Sequence, residues 1–172
     1  RVDQLENLIA AKEAAMQRLK DAVSSALQGF EGKGLTVERK NGKVYVSMEN
    51  KLLFSSGSWS VGDQGRNAVV NLASVLANNP DINVLIEGHT DNVPYPSKGA
   101  VLDNWDLSTK RATAIVRILM SNNVNPEQIT AAGRSKYIPV ASNSSVAGKA
   151  KNRRIEIILA PNLDAINNLL EE

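Results

Sequence analysis

The segment from Val84 to Asn92 constrains the fold of this chain more than any other. It opens on an apolar run that stops at Gly88, and short polar side chains follow directly. An apolar run bounded by a glycine and polar residues is typical of a buried β-strand. We therefore predict a strand that passes into a loop carrying one carboxylate, Asp91, whose partner must be sought elsewhere in the chain.

Periodicity places helices and further strands on both sides of this strand. The alternating segment 35–48 surrounds Asn41-Gly42, the strongest short signal for a hairpin turn. The other predicted elements are a short strand at 52–54, helices from 63 or 64 to 77 and from 106 or 108 to 122, and strands at 82–88, 129–132 and 154–160. The order β, α, β, α, β predicts an α/β (α+β) sandwich over residues 35–160, in which helices pack on a mixed sheet with 82–88 at its centre.

Two further helices are predicted at the ends of the chain. Residues 1–30 carry a nearly complete heptad, interrupted by Lys12. Its a positions hold Val2, Ile9, Met16 and Val23. The pattern fits a coiled-coil seam that joins two chains, but the charged layer at Lys12 and the small Ala26 favour the alternative, an amphipathic helix folded back on its own domain. Residues 161–172 form a short amphipathic helix in this interpretation.

Composition argues against several classes of protein. The 20 basic and 18 acidic residues are interspersed, so we predict no basic face for a nucleic acid. The absence of cysteine excludes disulfides and thiolate metal sites. No run reaches the ~18 to 20 apolar residues of a membrane-spanning helix. Because the chain starts at Arg1 without methionine, we expect an upstream segment to have been removed, and membrane attachment only through such an anchor.

The common catalytic templates are missing from the sequence. It has no phosphate-binding loop, no G-x-G-x-x-G turn after a strand and no G-x-S-x-G elbow. His89 is the only histidine, so a metal site there would need oxygen ligands throughout. A loop histidine hydrogen-bonded to its neighbours is the simpler interpretation. We predict a protein that is not an enzyme and that has no cofactor and no metal.

Arg111 is the most informative charged residue outside the strand. It falls in the first or second turn of its predicted helix, where the helix dipole disfavours a cation. A bound carboxylate would resolve this conflict by accepting hydrogen bonds from the guanidinium and from the helix N-terminus. An internal ion pair with Asp91, Asp103 or Asp106 would resolve it as well, so the residues alone leave both interpretations open.

Three sequence blocks carry a resemblance to a known family. They are EGHTDN at 87–92, NWDLS at 104–108 followed by Arg111-Ala112, and NRRIE at 152–156. In order and spacing these blocks resemble the OmpA C-terminal-like family of peptidoglycan-binding domains over residues 43–159. The NWDLS block and Asn92-Val93-Pro94 are most similar to the MotB-type branch of that family.

The resemblance implies a ligand site as well as a fold. It carries the family's binding aspartate, helix arginine, asparagine and Asn-Arg-Arg block onto this chain, and we add two neighbouring residues. The predicted site residues are Asp91, Arg111, Asn104, Arg153, Thr90 and Asn92. The implied ligand is the diaminopimelate of the peptidoglycan stem peptide, which has a free ammonium beside a free carboxylate. Asp91 would take the ammonium and Arg111 the carboxylate.

On this interpretation the domain binds peptidoglycan without catalysis and anchors an envelope protein to the cell wall. We expect it in the periplasm of a Gram-negative bacterium, attached to the outer membrane, or to the inner membrane if it belongs to a motor. A homo-oligomer formed through the N-terminal helix would raise retention on a repeating polymer. The alternatives are a MotB-like stator component, a protein-binding adaptor that kept the fold, and a wall hydrolase.

Overall fold

The computed structural model describes residues 1–171, which contain one five-stranded sheet. Its strands are β1 (Leu35–Lys40), β2 (Lys43–Glu49), β3 (Ile82–His89), β4 (Ile129–Gly133) and β5 (Arg154–Pro161). Their order is β1-β2-β5-β3-β4, and of these pairs β3 and β4 alone run parallel. The predicted mixed sheet packed by helices is confirmed. The strand at its centre is β5, however, because β3 pairs with β5 on one side and with the edge strand β4 on the other.

Six α-helices accompany the sheet within the described residues. They are α1 (Val2–Ala26), α2 (Asn50–Leu53), α3 (Asp63–Ala77), α4 (Asn104–Ser121), α5 (Val146–Asn152) and α6 (Asp164–Glu171). A 3-10 turn at Pro126–Gln128 precedes β4. The predicted terminal segment 161–172 ends at Glu172, which lies outside the described residues. Over residues 1–171, no helix combines the length and the apolar character that a membrane crossing requires.

The hydrophobic core lies on one face of the sheet. Side chains alternate along each strand, so the inward ones meet across paired strands. Ile157 of β5, for example, lies opposite Val46 of β2 and Ile86 of β3. The fully buried residues that α3 and α4 add to this cluster include Val69, Leu72, Leu76, Ile115 and Leu119.

The two halves of α1 have different surroundings. In the second half, Met16, Leu19 and Val23 are buried in the same core as the sheet residues. In the first half, Val2 and Ile9 are 67% and 42% exposed, so that part of the heptad seam faces solvent. The second half therefore packs on its own domain, and association of two chains through the helix remains a prediction.

The hairpin is confirmed, but two other local predictions are wrong. Asn41 and Gly42 both adopt positive φ angles, as the predicted turn requires. Residues 50–53 form the short helix α2 instead of a strand at 52–54. Leu52 and Leu53 are both buried, whereas consecutive residues of a strand point to opposite faces. Helix α4 begins at Asn104, before either predicted start, because the Asp103 carboxylate caps it by accepting a hydrogen bond from the Asp106 amide at 3.1 Å.

Two glycines allow the start of α4 to lie very close to the sheet. Gly88 and Gly133 are register partners at the ends of β3 and β4. A Cβ atom on Gly88 would lie 2.0 Å from the carbonyl oxygen of Ser108, and one on Gly133 would lie 2.0 Å from Oγ1 of Thr109. The first turns of α4 therefore pack directly against the backbone of β3 and β4, and this contact fixes their position relative to the end of β3.

We expect Gly88→Ala to destabilise the protein strongly. The added methyl group would collide with the α4 backbone, and the whole helix would have to shift to relieve the collision. Overpacking of this kind costs roughly 1 to 3 kcal/mol or more. Gly133→Ala should cost less, since its 2.0 Å contact is with the Thr109 side chain and the nearest backbone atom, the Thr109 nitrogen, lies at 2.8 Å. Urea unfolding midpoints of Gly88→Ala, Gly133→Ala and a control variant, Gly29→Ala, measure the effect. Gly29 serves as the control because nothing lies within 4 Å of a Cβ at that position. Equal midpoints for Gly88→Ala and the control would contradict the close contact.

Candidate ligand-binding site

The candidate site lies where β3 ends and β5 begins. These strands are antiparallel neighbours, and their register pairs His89 with Arg154. Asp91 and Arg153, each just outside its strand, are brought together by this pairing. Helix α4 starts above the same edge, so its inward side chains meet the loop that follows β3.

Asp91 forms an ion pair with Arg153. The distance from Arg153 Nη1 to Asp91 Oδ2 is 2.6 Å, and the aspartate is 6% exposed while the arginine side chain is 40% exposed. The other carboxylate oxygen accepts a hydrogen bond from the Val93 amide at 3.0 Å. The carboxylate is thus held from two sides, and the more accessible partner is the arginine.

Arg111 is a nearly buried cation whose hydrogen-bonding capacity is largely unused. It is 5% exposed, its guanidinium lies 5.2 Å from the centre of the Phe54 ring, and its Nε donates to the Ser58 carbonyl at 2.8 Å. Within residues 1–171, its two terminal amino groups donate no hydrogen bond and the residue forms no ion pair. Those amino groups can therefore receive an anion without breaking an existing contact.

Burial lowers the pKa of Arg111 to about 10. The neighbouring Tyr95 and Asp91 oppose this shift, and Arg153 adds to it. At neutral pH the group stays protonated. The site therefore combines one carboxylate with two cations and carries a net positive charge.

The structure changes the reason for which Arg111 was singled out. It is the eighth residue of α4, beyond the first turn in which the helix dipole acts strongly, so the argument from the dipole rested on a wrong helix start. The alternative ion pairs are not formed either. Asp103 caps the helix, Asp106 accepts from the Leu102 amide, and Asp91 is paired with Arg153.

The other predicted site residues surround Asp91 in different ways. Asn104 is buried and donates from Nδ2 to the Val93 carbonyl at 3.0 Å, which braces the loop after Asp91. Thr90 is buried, and its Oγ1 donates to the Asp91 carbonyl at 2.8 Å. Asn92 is exposed. Asn104 and Thr90 therefore hold the loop, and their side-chain donors are already engaged.

Two residues that hold Arg111 were not predicted from the sequence. Phe54 and Ser58 lie between α2 and α3, far from Arg111 along the chain. Neither residue carries a charge, and the contact of Ser58 is made by its backbone carbonyl, which any residue could provide. A sequence pattern therefore gives no indication of which backbone carbonyl will contact Arg111.

A second polar cluster lies at the end of β3 around His89, which is 2% exposed. Its Nε2 lies 3.3 Å from Glu87 Oε1 and 3.6 Å from Glu156 Oε2, so three potential metal-ligand atoms converge within 4.8 Å. Arg154 lies 3.3 Å from Glu156. Burial and the cations Arg154 and Arg134 lower the pKa of His89 to about 3, and burial raises the pKa of Glu87. Two carboxylates here face two arginines, so the charges balance without an ion.

The fold and site together define a small mixed α/β domain in which helix α4 holds a nearly buried, partly unpaired cation. The profile of the OmpA family matches residues 53–153, more than half of the chain. The chain belongs to the OmpA family, and the resemblance found in its sequence blocks is confirmed.

Relatives by sequence include proteins of the bacterial envelope and of motility. Motility protein B of Bacillus subtilis is 32% identical over 119 residues, which are 69% of this chain and 45% of that protein. The probable lipoprotein YiaD of Escherichia coli is 35% identical over 130 residues, 76% of this chain and 57% of that protein. The chain spans about half the length of these relatives.

Solved structures show the same fold. A putative MotB-like protein from Desulfovibrio vulgaris matches with a TM-score of 0.81 and 21% identity, covering 90% of this chain and 96% of that one. The cell wall anchor of the T6SS from Pseudomonas aeruginosa matches with a TM-score of 0.70 and 32% identity, covering 81% and 96%.

We expect acid to destabilise the protein through His89. The folded state keeps the ring neutral down to a pH of about 3, whereas the unfolded chain takes up a proton near 6.5. The unfolded state thus binds more protons in this window, and stability is lost as the pH falls through it. Relative to His89→Gln, the wild type should lose up to ~1.4 kcal/mol more for each pH unit between about pH 6 and pH 4. Urea unfolding at several pH values measures this, and parallel curves for the two proteins would contradict it.

Proposed function

We propose that this domain binds peptidoglycan without catalysis, through the diaminopimelate of the stem peptide, and so anchors an envelope protein to the cell wall. The observation that carries the proposal is Arg111, a buried cation whose terminal amino groups have no partner among the described residues. These amino groups are not among the enclosed unpartnered atoms of the described residues, so an anion can reach them from solvent. The proposed anion is the carboxylate at the free end of diaminopimelate.

The second charge of the ligand matches the second charge of the site. The free end of diaminopimelate carries an ammonium beside its carboxylate, so a site needs an acid and a base fixed close together. Asp91 accepts the ammonium, and its present partner Arg153, which is more exposed, has room to shift and share the carboxylate. Asn104 acts by bracing the loop, because its amino group is already bonded to the Val93 carbonyl.

The chemistry of the converging side chains favours binding over catalysis. Arginine stays protonated at neutral pH and does not serve as a general base. The carboxylate of Asp91 is held by an ion pair and an amide, and asparagine does not titrate. These groups recognise charge and shape, as a retention site requires.

The relatives support attachment to the envelope. A neighbour with 32% identity is the cell wall anchor of the T6SS, and a relative with 35% identity is a probable lipoprotein. We place the chain in the periplasm of a Gram-negative bacterium, anchored to the outer membrane. A MotB-like stator component at the inner membrane is the second candidate function, favoured by the 32% identity with motility protein B. An adaptor that binds only protein does not require the cation of Arg111 and the carboxylate of Asp91 in one site.

A single small-ligand site need not bind tightly to anchor a protein. Peptidoglycan repeats the ligand, so two linked domains turn the second binding event into an intramolecular one. The exposed first half of α1 is the segment through which we propose that two chains associate. Retention then depends on the number of linked sites as well as on the affinity of each.

Loss of either central charge should release the protein from purified sacculi. We expect Asp91→Asn and Arg111→Ala each to weaken binding roughly 10- to 150-fold, the range for a lost hydrogen bond to a charged group. Co-sedimentation with sacculi over a range of protein concentrations measures this. Asp81→Ala and Arg117→Ala remove exposed charges from the same two segments of the chain and should bind as the wild type does. If both site variants bind sacculi as tightly as the wild type does, the proposal is wrong.

The carboxylate of the ligand can be tested separately from its ammonium. A stem peptide with lysine in place of diaminopimelate keeps the ammonium but lacks the carboxylate, so it should bind roughly 5- to 150-fold more weakly. Calorimetric titration of both peptides measures the difference, and the Arg111→Ala variant should show almost none. Equal affinities for the wild type would exclude Arg111 as the carboxylate partner.

A further inference from the structure

An exposed pair of aromatic rings lies at the start of α4, the helix that also carries Arg111. The rings of Trp105 and Tyr137 stack with centroids 5.4 Å apart and an interplanar angle of 30°, yet the two residues are 48% and 60% exposed. The whole chain has only two tryptophans, three tyrosines and two phenylalanines, so two of its seven large rings are kept in water. Contiguous exposed apolar surface rimmed by polar residues is characteristic of interaction sites, and Trp and Tyr are enriched at such sites. We call this pair the aromatic platform.

Hydrogen bonds connect the aromatic platform to the loop that carries Asp91. The Thr90 amide donates to the Ser135 carbonyl at 2.9 Å, and the Ser135 amide donates to Ser108 Oγ at 3.1 Å. Tyr137 follows Ser135 by two residues, and Trp105 precedes Ser108 by three on α4. These bonds fix the segment before Tyr137 against both the loop after β3 and helix α4.

A groove beside the platform offers both apolar and polar walls. It has a volume of about 310 Å³ and is lined by residues of the loop before α4 and of its first three turns. Its lining includes Val101, Trp105, Thr109, Lys110 and Thr113. A flat ring bordered by hydroxyl and ammonium groups suits a molecule that has one apolar face and a polar rim.

We propose that the aromatic platform binds a sugar ring of the peptidoglycan glycan strand. This inference rests on the function proposed above and adds a second contact for the same polymer. The C–H groups on one face of a pyranose ring pack against an aromatic ring, while its hydroxyl and acetamido groups point sideways to Thr109 and Lys110. Trp105 supplies the main surface, and Tyr137 holds its orientation by stacking on it.

The spacing of the two contacts fits the covalent structure of the polymer. Trp105 and Arg111 are six residues apart on α4, which is about 9 Å along the helix axis and about 120° around it. Diaminopimelate is the third residue of the stem peptide, and three extended residues reach on the order of 10 Å from the sugar. A muropeptide that passes around the start of α4 can therefore contact the platform with its sugar and Arg111 with the side chain of its diaminopimelate.

Two ligands separate the platform from the charged site. One is the free stem tripeptide ending in diaminopimelate, and the other is the same tripeptide attached to its disaccharide. The wild type should bind the disaccharide-tripeptide roughly two- to tenfold more tightly, the range for an aromatic contact. Trp105→Ala should lose that advantage and keep the wild-type affinity for the free tripeptide. Arg111→Ala should weaken binding of both ligands.

The outcomes distinguish the two proposals. If Trp105→Ala keeps the preference for the disaccharide-tripeptide, the platform does not bind the sugar, while the loss caused by Arg111→Ala still supports the charged site. If Arg111→Ala binds both ligands as the wild type does, the charged site is wrong, and the contribution of Trp105 is measured independently by the ratio of the two affinities. Trp59→Phe, which changes the other tryptophan and keeps an aromatic ring under Lys110, is the matched control and should keep the ratio.

Fluorescence gives a direct readout that a purely structural role would not move. In Trp59→Phe, Trp105 is the sole tryptophan of the chain. Its emission should shift to the blue when the disaccharide-tripeptide covers the ring, and it should stay unchanged with the free tripeptide. Identical spectra with both ligands would overturn the proposed sugar contact.

Discussion

The contact between the start of α4 and the bare backbone of β3 and β4 is the constraint on which the rest of the site depends. A side chain at Gly88 would collide with the carbonyl of Ser108, so the sheet and the helix can approach this closely only where the strand has no Cβ. Arg111 and Trp105 both project from the helix that this contact positions. Their distances from Asp91 are therefore set by the packing of two backbones, which deform little.

The charges of the site are arranged so that one cation stays available. Asp91 is nearly buried and would be costly to leave without a partner, and Arg153 provides that partner at 2.6 Å. Arg111 is held by groups that leave its terminal amino groups unused: the Phe54 ring contacts its face and the Ser58 carbonyl accepts from Nε. Burial of this cation favours its neutral form, as its lowered pKa shows, and so carries a cost for the folded protein. Such local costs are characteristic of functional sites.

Sequence patterns predicted the elements with strong periodicity and missed those decided by packing. The hairpin at Asn41-Gly42 and the helix ending at Ala77 were predictable because turn chemistry and a 3.6-residue period are local properties. The short helix α2 was not, since its two adjacent leucines are buried by α3 and β2 rather than by any pattern of their own. Charged candidates such as Asp91 could be found from motif resemblance, but the choice of Arg153 as its partner depends on the register of β3 and β5. Register is a long-range property that no local signal contains.

The packing of α1 bears on how such a domain can carry load. In the function proposed above, force passes between the ligand and the N-terminal helix, so that helix must be joined to the domain by more than one flexible segment. The second half of α1 meets this need, because Met16, Leu19 and Val23 are part of the core. At its end, Asn71 of α3 donates to the Ala26 carbonyl at 3.2 Å, and Arg39 of β1 donates to Gln17 at 3.0 Å. Force along the helix therefore loads several lateral contacts together, in shear, instead of stretching the glycine-rich turn between α1 and β1.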